Sequence, residues 1–259
     1  MIWWLLALVV VFFLGVLFYK QRIEEYRLNQ IEWPQREQLG ELQEERIPIV
    51  VRGMPRAPIW TYADIEARDQ FSTLRVGDGG ETLPAWIKGA GPDSAVPYGV
   101  AVAESLAQIA LVESWLASTW LPVMEGVRRA LPTLFPMIPS VWAGAHGLTA
   151  AKAQWTLLFP TDGEMVVTLM NDKEKAFLPK GWEGSFPRSY TAADTPFVGS
   201  INYIDVILRP GHALWIPAHW KYAWENLEGA PSVPLVCKVD VHTPISLAAA
   251  RLASATESK

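Results

Sequence analysis

Residues 209–226 read RPGHALWIPAHWKYAWEN. Pro210-Gly211 marks a turn, and ALWIPA and YAWEN are apolar runs of strand length on either side of a second turn. The stretch has the form of the end of a β-barrel metal site, which raises the question of where its ligands are. Outward from it, from residue 138 on, the pattern has a period near two. SVWAGAH, TAAKAQWTLLFP, EMVVTLM, KAFLP, YIDVIL and PLVCKVDVH are short runs separated by turn residues at fairly regular intervals. That spacing points to a β-sandwich or barrel.

Upstream, IPIVVRG at 47–53 reads as a buried strand ended by glycine. In PIWTYADIEARDQF, 58–71, Thr61 followed by Asp64 predicts a capped helix start. The stretch 77–99, punctuated by Gly and Pro, predicts strands joined by loops. AVAESLAQIALVESWLASTWL, 101–121, places Leu106, Ile109, Ala110, Val112 and Leu116 near a 3.6 period and predicts one helix. A second, short one, VMEGVRRAL, follows Pro122. The tail ISLAAARLASATESK reads as a short helix fraying outward.

The chain begins differently. Residues 2–19, IWWLLALVVVFFLGVLFY, are an uncharged apolar run of 18 residues. As a helix it is about 27 Å long, close to the hydrocarbon thickness of a bilayer. Its aromatic residues Trp3, Trp4, Phe12, Phe13 and Tyr19 suit an anchor with interfacial rings at both ends. A cleaved signal peptide is the competing reading, but a basic n-region and an A-x-A-like site are missing. A buried core helix is a third. Lys20, Arg22 and Arg27 follow the span, so the positive-inside rule places the rest of the chain on the cytoplasmic, or matrix or stromal, side. The charged stretch up to residue 46 reads as a solvated helical stalk broken at Pro34, with a partner-binding helix as the alternative. The expected organisation is thus an anchor (1–20), a stalk (21–46), a main domain (47–244) and a tail (245–259).

The 259 residues, 50% hydrophobic and 19% charged, suffice for one domain with a sizeable core plus an appendage. A net charge of −5 without a Lys/Arg run argues against nucleic acid as a partner. The lone Cys237 excludes an intrachain disulfide framework and a multi-Cys zinc site. Thirteen tryptophans can fill a large core or line contacts with partners and lipid.

The segment PGHALWIPAHWKYAWEN resembles the PGD-x-L-x-IP-x-x-W-x-H-x-V-x-N signature of the cupin-like, JmjC-type dioxygenases, which are similar to the asparaginyl hydroxylases. IPIVVRGMP at 47–55 and VWAGAHGLTAAKAQWTLLF at 141–159 resemble two further segments of that family, in the same order and at similar spacing. The resemblance covers roughly residues 46–243. It implies a mainly β (α+β) fold, a double-stranded β-helix with flanking helices, here behind one transmembrane helix. It also implies three iron ligands, two from H-x-D on one strand and one from a distant His. Residues i and i+2 of a strand face one side, which is why that spacing can serve one metal. At these positions stand Lys152, Gln154 and Tyr222: a cation, a neutral amide and a phenol. The family's cosubstrate lysine aligns with Met165 and its strand asparagine with Thr156, while Thr149 matches a cosubstrate-contacting threonine. His146, His212, His219 and His242 do not fall in register to replace the triad. Motifs for a nucleophile elbow, a P-loop, a zinc protease or a dinucleotide fold are absent.

The expectation is therefore a catalytically inactive, metal-free domain without cofactor, acting as a structural or docking subunit of a membrane assembly. Its partners would be the lipid bilayer and other subunits met through Trp-rich surfaces. Two alternatives stay open: an anionic small-molecule module using the old pocket through Lys152, and an oxygenase with an atypical metal site.

Overall fold

The computed structural model describes residues 2–19, 26–55, 59–77, 79–91, 94–120 and 136–248, with side chains at 2, 5, 11 and 14–19 outside the described set. Ile2–Tyr19 form helix α1, as the apolar run predicts. Each of its described side chains is exposed, among them Trp3, Trp4, Phe12 and Phe13. Among the described residues no single helix is long and apolar enough to cross a membrane.

The chain then departs from the expected stalk. Residues Asn29–Glu32 form strand β1, parallel to β2 (Ile49–Arg52) in the register Asn29↔Ile49 to Glu32↔Arg52. A 3₁₀ turn at Trp33–Gln38, with Pro34 in its first turn, leads into helix α2 (Leu39–Glu44). Ile31 and Leu39 are buried, and Trp33 packs edge-on against Trp120. The charges that suggested solvent lie on one side only; the apolar residues between them join the core, so residues 26–46 are part of the domain.

Helices α3 (Tyr62–Ala67) and α4 (Asp69–Ser72) follow, with the expected capping box: the Thr61 hydroxyl accepts from the Asp64 N–H and the Asp64 carboxylate accepts from the Thr61 N–H. Short strands β3 (Arg75–Val76) and β4 (Glu81–Thr82) pair with each other, but helix α5 (Leu83–Gly89) replaces the strands expected over 77–99. Pro84 opens that helix, where its missing N–H costs nothing. The single helix expected over 101–121 is two, α6 (Val100–Ile109) and α7 (Val112–Thr119), bent by 65° at Leu111. Leu111 has φ 55°, which no α-helix tolerates. The bend lets Leu106 and Ala107 of one helix, its cap residue Ala110, and Val112 and Leu116 of the other helix reach one sheet. The short helix expected over 123–131 lies outside the described residues.

Eight strands complete the domain: β5 (Met137–Ala143), β6 (His146–Ala150), β7 (Trp155–Asp162), β8 (Met165–Met170), β9 (Ile204–Leu208), β10 (Ala213–Pro217), β11 (Lys221–Asn226) and β12 (Leu235–Val241). KAFLP, read as a strand, is instead the end of a 3₁₀ turn begun by Asn171, whose side chain caps Lys173. The strands form a six-stranded sheet, β1-β2-β10-β7-β12-β5, and a four-stranded sheet, β6-β11-β8-β9. The fold is mixed α+β.

Strand alternation sorts the core into layers. From the six-stranded sheet, Trp155, Leu157, Phe159, Trp215, Cys237 and Val239 point toward the helices. Leu158, Leu214, Ile216, Val236 and Trp142 point the other way, onto Val167, Leu169, Val206, Tyr222 and Trp224 of the four-stranded sheet. A strap at 182–185 covers the outside of β6, with backbone bonds from Leu148 to Ser185 (2.7 Å) and from Gly184 to Leu148 (2.9 Å). It lies so close that a Cβ on Gly147 would stand 1.9 Å from the Gly184 carbonyl oxygen. Gly147→Ala is therefore expected to lower stability by about 1–3 kcal/mol in denaturant titrations followed by tryptophan fluorescence. Gly199→Ala, with nothing within 4 Å of the added methyl, should leave the midpoint unchanged.

Candidate functional site

The space between the two sheets is apolar except near one end, where the first residues of β7 and β11 meet the last of β12. There Lys238 and Asp240, at i and i+2 of β12, both turn inward between Cys237, Val239 and Val241, which face the helices. Their side chains form an ion pair, Nζ to Oδ2 at 2.8 Å. Register places Asp240 opposite Thr156 and Ile138, and Lys238 opposite Ser140 and Leu158. The Thr156 hydroxyl donates to Asp240 Oδ1 at 2.8 Å. Lys238 is hydrogen-bonded to the Tyr222 phenol, which also meets Thr156. Ser140 accepts from Trp142 Nε1 at 2.9 Å and donates to the Lys238 carbonyl at 3.4 Å. Lys238 and Asp240 keep 20% and 24% of their side-chain surface exposed, so the pair lines a recess rather than a sealed core.

The electrostatics follow from this arrangement. Burial opposes the Lys238 charge, but Asp240 and then Tyr222 outweigh it and hold the ammonium above the usual lysine range. Burial pushes the Tyr222 phenol up to about 12, so it stays protonated at neutral pH. His146, at the start of β6, stacks on Trp224 with ring centres 4.5 Å apart, and its Nδ1–H donates to the Gly147 carbonyl at 2.8 Å. Burial, aided by the Lys238 charge, lowers its pKa to about 4 and keeps the imidazole neutral.

The residues singled out by sequence separate into two groups. Tyr222, Thr149 and Thr156 come together: Thr149 pairs with Tyr222 across β6 and β11, and Thr156 joins the Asp240 network. The other three do not. Residues 151–154 form a turn rather than a strand, so the same-face relation of i and i+2 does not apply to Lys152 and Gln154. Lys152 is exposed and Gln154 half-buried, its carbonyl accepting from Ala218 N–H. Met165 is buried opposite Asn226, four residues along β8 from Leu169, the partner of Tyr222. The two charges that dominate the recess were legible in PLVCKVDVH, where Lys238 and Asp240 alternate with apolar residues on an otherwise apolar strand.

An iron centre of the kind the resemblance implies does not fit these residues. Lys152, Gln154 and Tyr222 supply no ligand set, and Asp240, the carboxylate between the sheets, is already saturated by Lys238 and Thr156. Among the described residues, no group of three His, Cys, Asp or Glu side chains is placed to hold a metal. The anionic-ligand alternative finds no cation at Lys152 in the recess, and Asp240 neutralises the one that Lys238 brings. No family model matches the chain, and no curated protein matches it.

Of the two roles open to the tryptophans, core filling and surface contact, most take the first. Trp60, Trp120, Trp142, Trp155, Trp215, Trp220 and Trp224 are buried, and only Trp3 and Trp4 are exposed. Trp33, Trp120, Trp215 and Trp155 form an edge-to-face series between the helices and the six-stranded sheet. Indoles of that size fill a wide space that short strands and short helices leave.

Two outcomes check the site. Asp240→Asn, which leaves the Lys238 ammonium without its counter-charge, is expected to cost about 2–3 kcal/mol. The pair Lys238→Met with Asp240→Leu should restore most of that loss, because an apolar replacement leaves no orphaned charge. For His146, the folded pKa lies below the unfolded value of about 6.5, so stability is full above pH 6.5 and falls as pH drops toward 4. The loss by pH 4 should reach about 3 kcal/mol, and it should be absent in His146→Phe, so that it appears in full in the wild-type-minus-variant difference.

Proposed function

We propose that the chain is a membrane-anchored, catalytically inactive domain of the cupin-like, double-stranded β-helix type, serving as a structural or docking subunit of a membrane protein assembly. Support for the architecture comes from the pairing of β5 to β12. The first of these eight strands pairs with the last, the second with the seventh, the third with the sixth and the fourth with the fifth. A long hairpin folded over and rolled up produces that order, which supports the jelly-roll reading.

The observation that carries the inactive reading is the internal closure of the recess. Lys238, Asp240, Tyr222, Thr156 and Ser140 satisfy one another, and aromatic rings fill the space beside them. A site that binds metal or reacts needs donors whose partners are exchanged during the work; here each donor already has a fixed protein partner. The anchor reading rests on the uncharged 18-residue helix α1 and its exposed Trp3, Trp4, Phe12 and Phe13. Together these favour a domain held at a bilayer for contact rather than turnover.

Purification of the full chain in mild detergent, followed by anaerobic Fe(II) loading and metal analysis, tests the first half. Metal far below one equivalent is expected, and near-stoichiometric metal lost on chelation overturns the reading. Native mass in the same detergent tests the second half. Extraction from its own membrane in a particle well above the 28.9 kDa monomer plus micelle is expected, and a monomer alone overturns the subunit role.

A further inference from the structure

The route from helix α1 into the domain fixes which end of the domain can meet a bilayer. Tyr19 is the last residue of α1, and Tyr26 is the first of the following described segment. Seven residue steps separate them, and a fully extended chain of that length reaches at most about 25 Å. Tyr26 is held firmly. Its hydroxyl donates to the Asn202 carbonyl at 2.9 Å and accepts from the Asn171 N–H at 3.2 Å. Its ring stands edge-on to Trp220, with the Lys173 ammonium 5.1 Å from its centre. Leu28, two residues on, packs against the core between the sheets.

This same end carries exposed aromatic side chains. Phe197 and Tyr203 are 53% and 44% exposed, flanking Asn202, whose carbonyl binds Tyr26. Phe197 is backed by Phe177, with ring centres 6.0 Å apart. The acidic groups of the neighbouring turn face inward: Asp172 pairs with Lys221 at 2.8 Å, and Glu174 is buried, accepting from Asn202 N–H at 3.0 Å. Lys175 and Lys180 of that turn are exposed; the exposed acids of the following loop are Glu183 and Asp194, the latter turned back onto Thr191. Aromatic rings with an apolar body, beside lysines, suit the headgroup region of a membrane.

We propose that the end of the domain formed by Tyr26–Leu28, the 171–180 turn and the 197–203 loop lies against the bilayer, with Phe197 and Tyr203 seated among lipid headgroups. The proposal rests on the reading of α1 as a membrane anchor and adds the orientation of the domain. A detached domain on a long tether would leave this face in water; the six residues between Tyr19 and Tyr26 keep it within about 25 Å of the end of α1.

Spin labels on the full chain in phosphatidylcholine–phosphatidylglycerol nanodiscs test it. Cys237 is fully buried, so introduced cysteines can be labelled singly. Gly199→Cys reports beside the two aromatics without removing either, Glu228→Cys reports from the β11–β12 turn at the far end, and Leu8→Cys reports from α1. The expected result is an oxygen-to-nickel-chelate collision ratio at 199 several-fold above that at 228. Replacing Phe197 and Tyr203 by Ser should bring the ratio at 199 down toward that at 228. Equal, water-like ratios at 199 and 228 with a lipid-like ratio at 8 overturn the docked face and leave the anchor standing. A water-like ratio at 8 overturns both. Low collision with both reagents at 199 means that a second copy of the chain covers the patch, which also overturns the proposal.

Discussion

The Lys238–Asp240 pair inside β12 is the constraint around which the eight-stranded part of the domain is arranged. Two residues apart on one strand, the side chains cannot avoid facing the same way, and that way is the space between the sheets. A lone charge there would cost several kcal/mol. Each neighbour of β12 therefore contributes a polar group at the matching register: Ser140 from β5, Thr156 from β7, and Tyr222 from the opposite sheet. A one-residue slip of β12 would turn both charges toward the helices and Cys237 and Val239 into the recess. The network thus specifies register as well as satisfying charge. Of the three positions at which the resemblance implies iron ligands, only Tyr222 belongs to this network.

Around that polar end the packing is aromatic. The two faces of the six-stranded sheet differ in what they require: one meets short helices at uneven height, the other meets a second sheet at a regular spacing. Indoles serve the first. Trp33, Trp120, Trp215 and Trp155 stack edge to face where β1, α7, β10 and β7 converge. On the second, Trp142, Trp224 and Tyr222 sit beside the ion pair, and Trp142 and Trp224 pass their N–H groups to Ser140 and to the Gly144 carbonyl. A tryptophan count taken as a sign of sticky surface is better read, in this chain, as the volume needed between elements of unequal length.

The strands are legible because short apolar runs bounded by turn residues leave a local trace. IPIVVRG, EMVVTLM, YIDVIL and YAWEN each carry the pattern within their own few residues, and each is a strand. The capping box at Thr61 was legible for the same reason. The failures share a cause as well. Whether 29–32 joins a sheet depends on β2 lying alongside, and four residues of NQIE cannot announce a partner twenty positions later. The break at Leu111 is decided by what two helices must cover, and its left-handed residue is a leucine rather than the glycine that would have signalled it. The placement of Lys152 was inferred by assuming that the strand β6 continued; the chain turns at Ala151, and the residue faces solvent. Lys238 and Asp240 alternate with apolar residues in PLVCKVDVH, but nothing local to that strand shows that their side chains meet Thr156, Ser140 and Tyr222 from three other strands.

The fold departs furthest from the expected organisation in the segment that follows α1. A stalk would decouple domain and membrane, letting the domain sample many orientations. Here the chain enters the domain at Tyr26, becomes a strand by Asn29 and supplies a parallel edge to the larger sheet. Pulling on that segment would have to break the β1–β2 ladder and the Tyr26 contacts to Asn171, Asn202 and Trp220 before any slack appeared. The mechanical link between α1 and the two sheets is therefore short and ordered at its domain end. On the proposed reading of α1 as a membrane anchor, a domain joined to it in this way presents one face consistently to that membrane, which is what the proposed structural role requires.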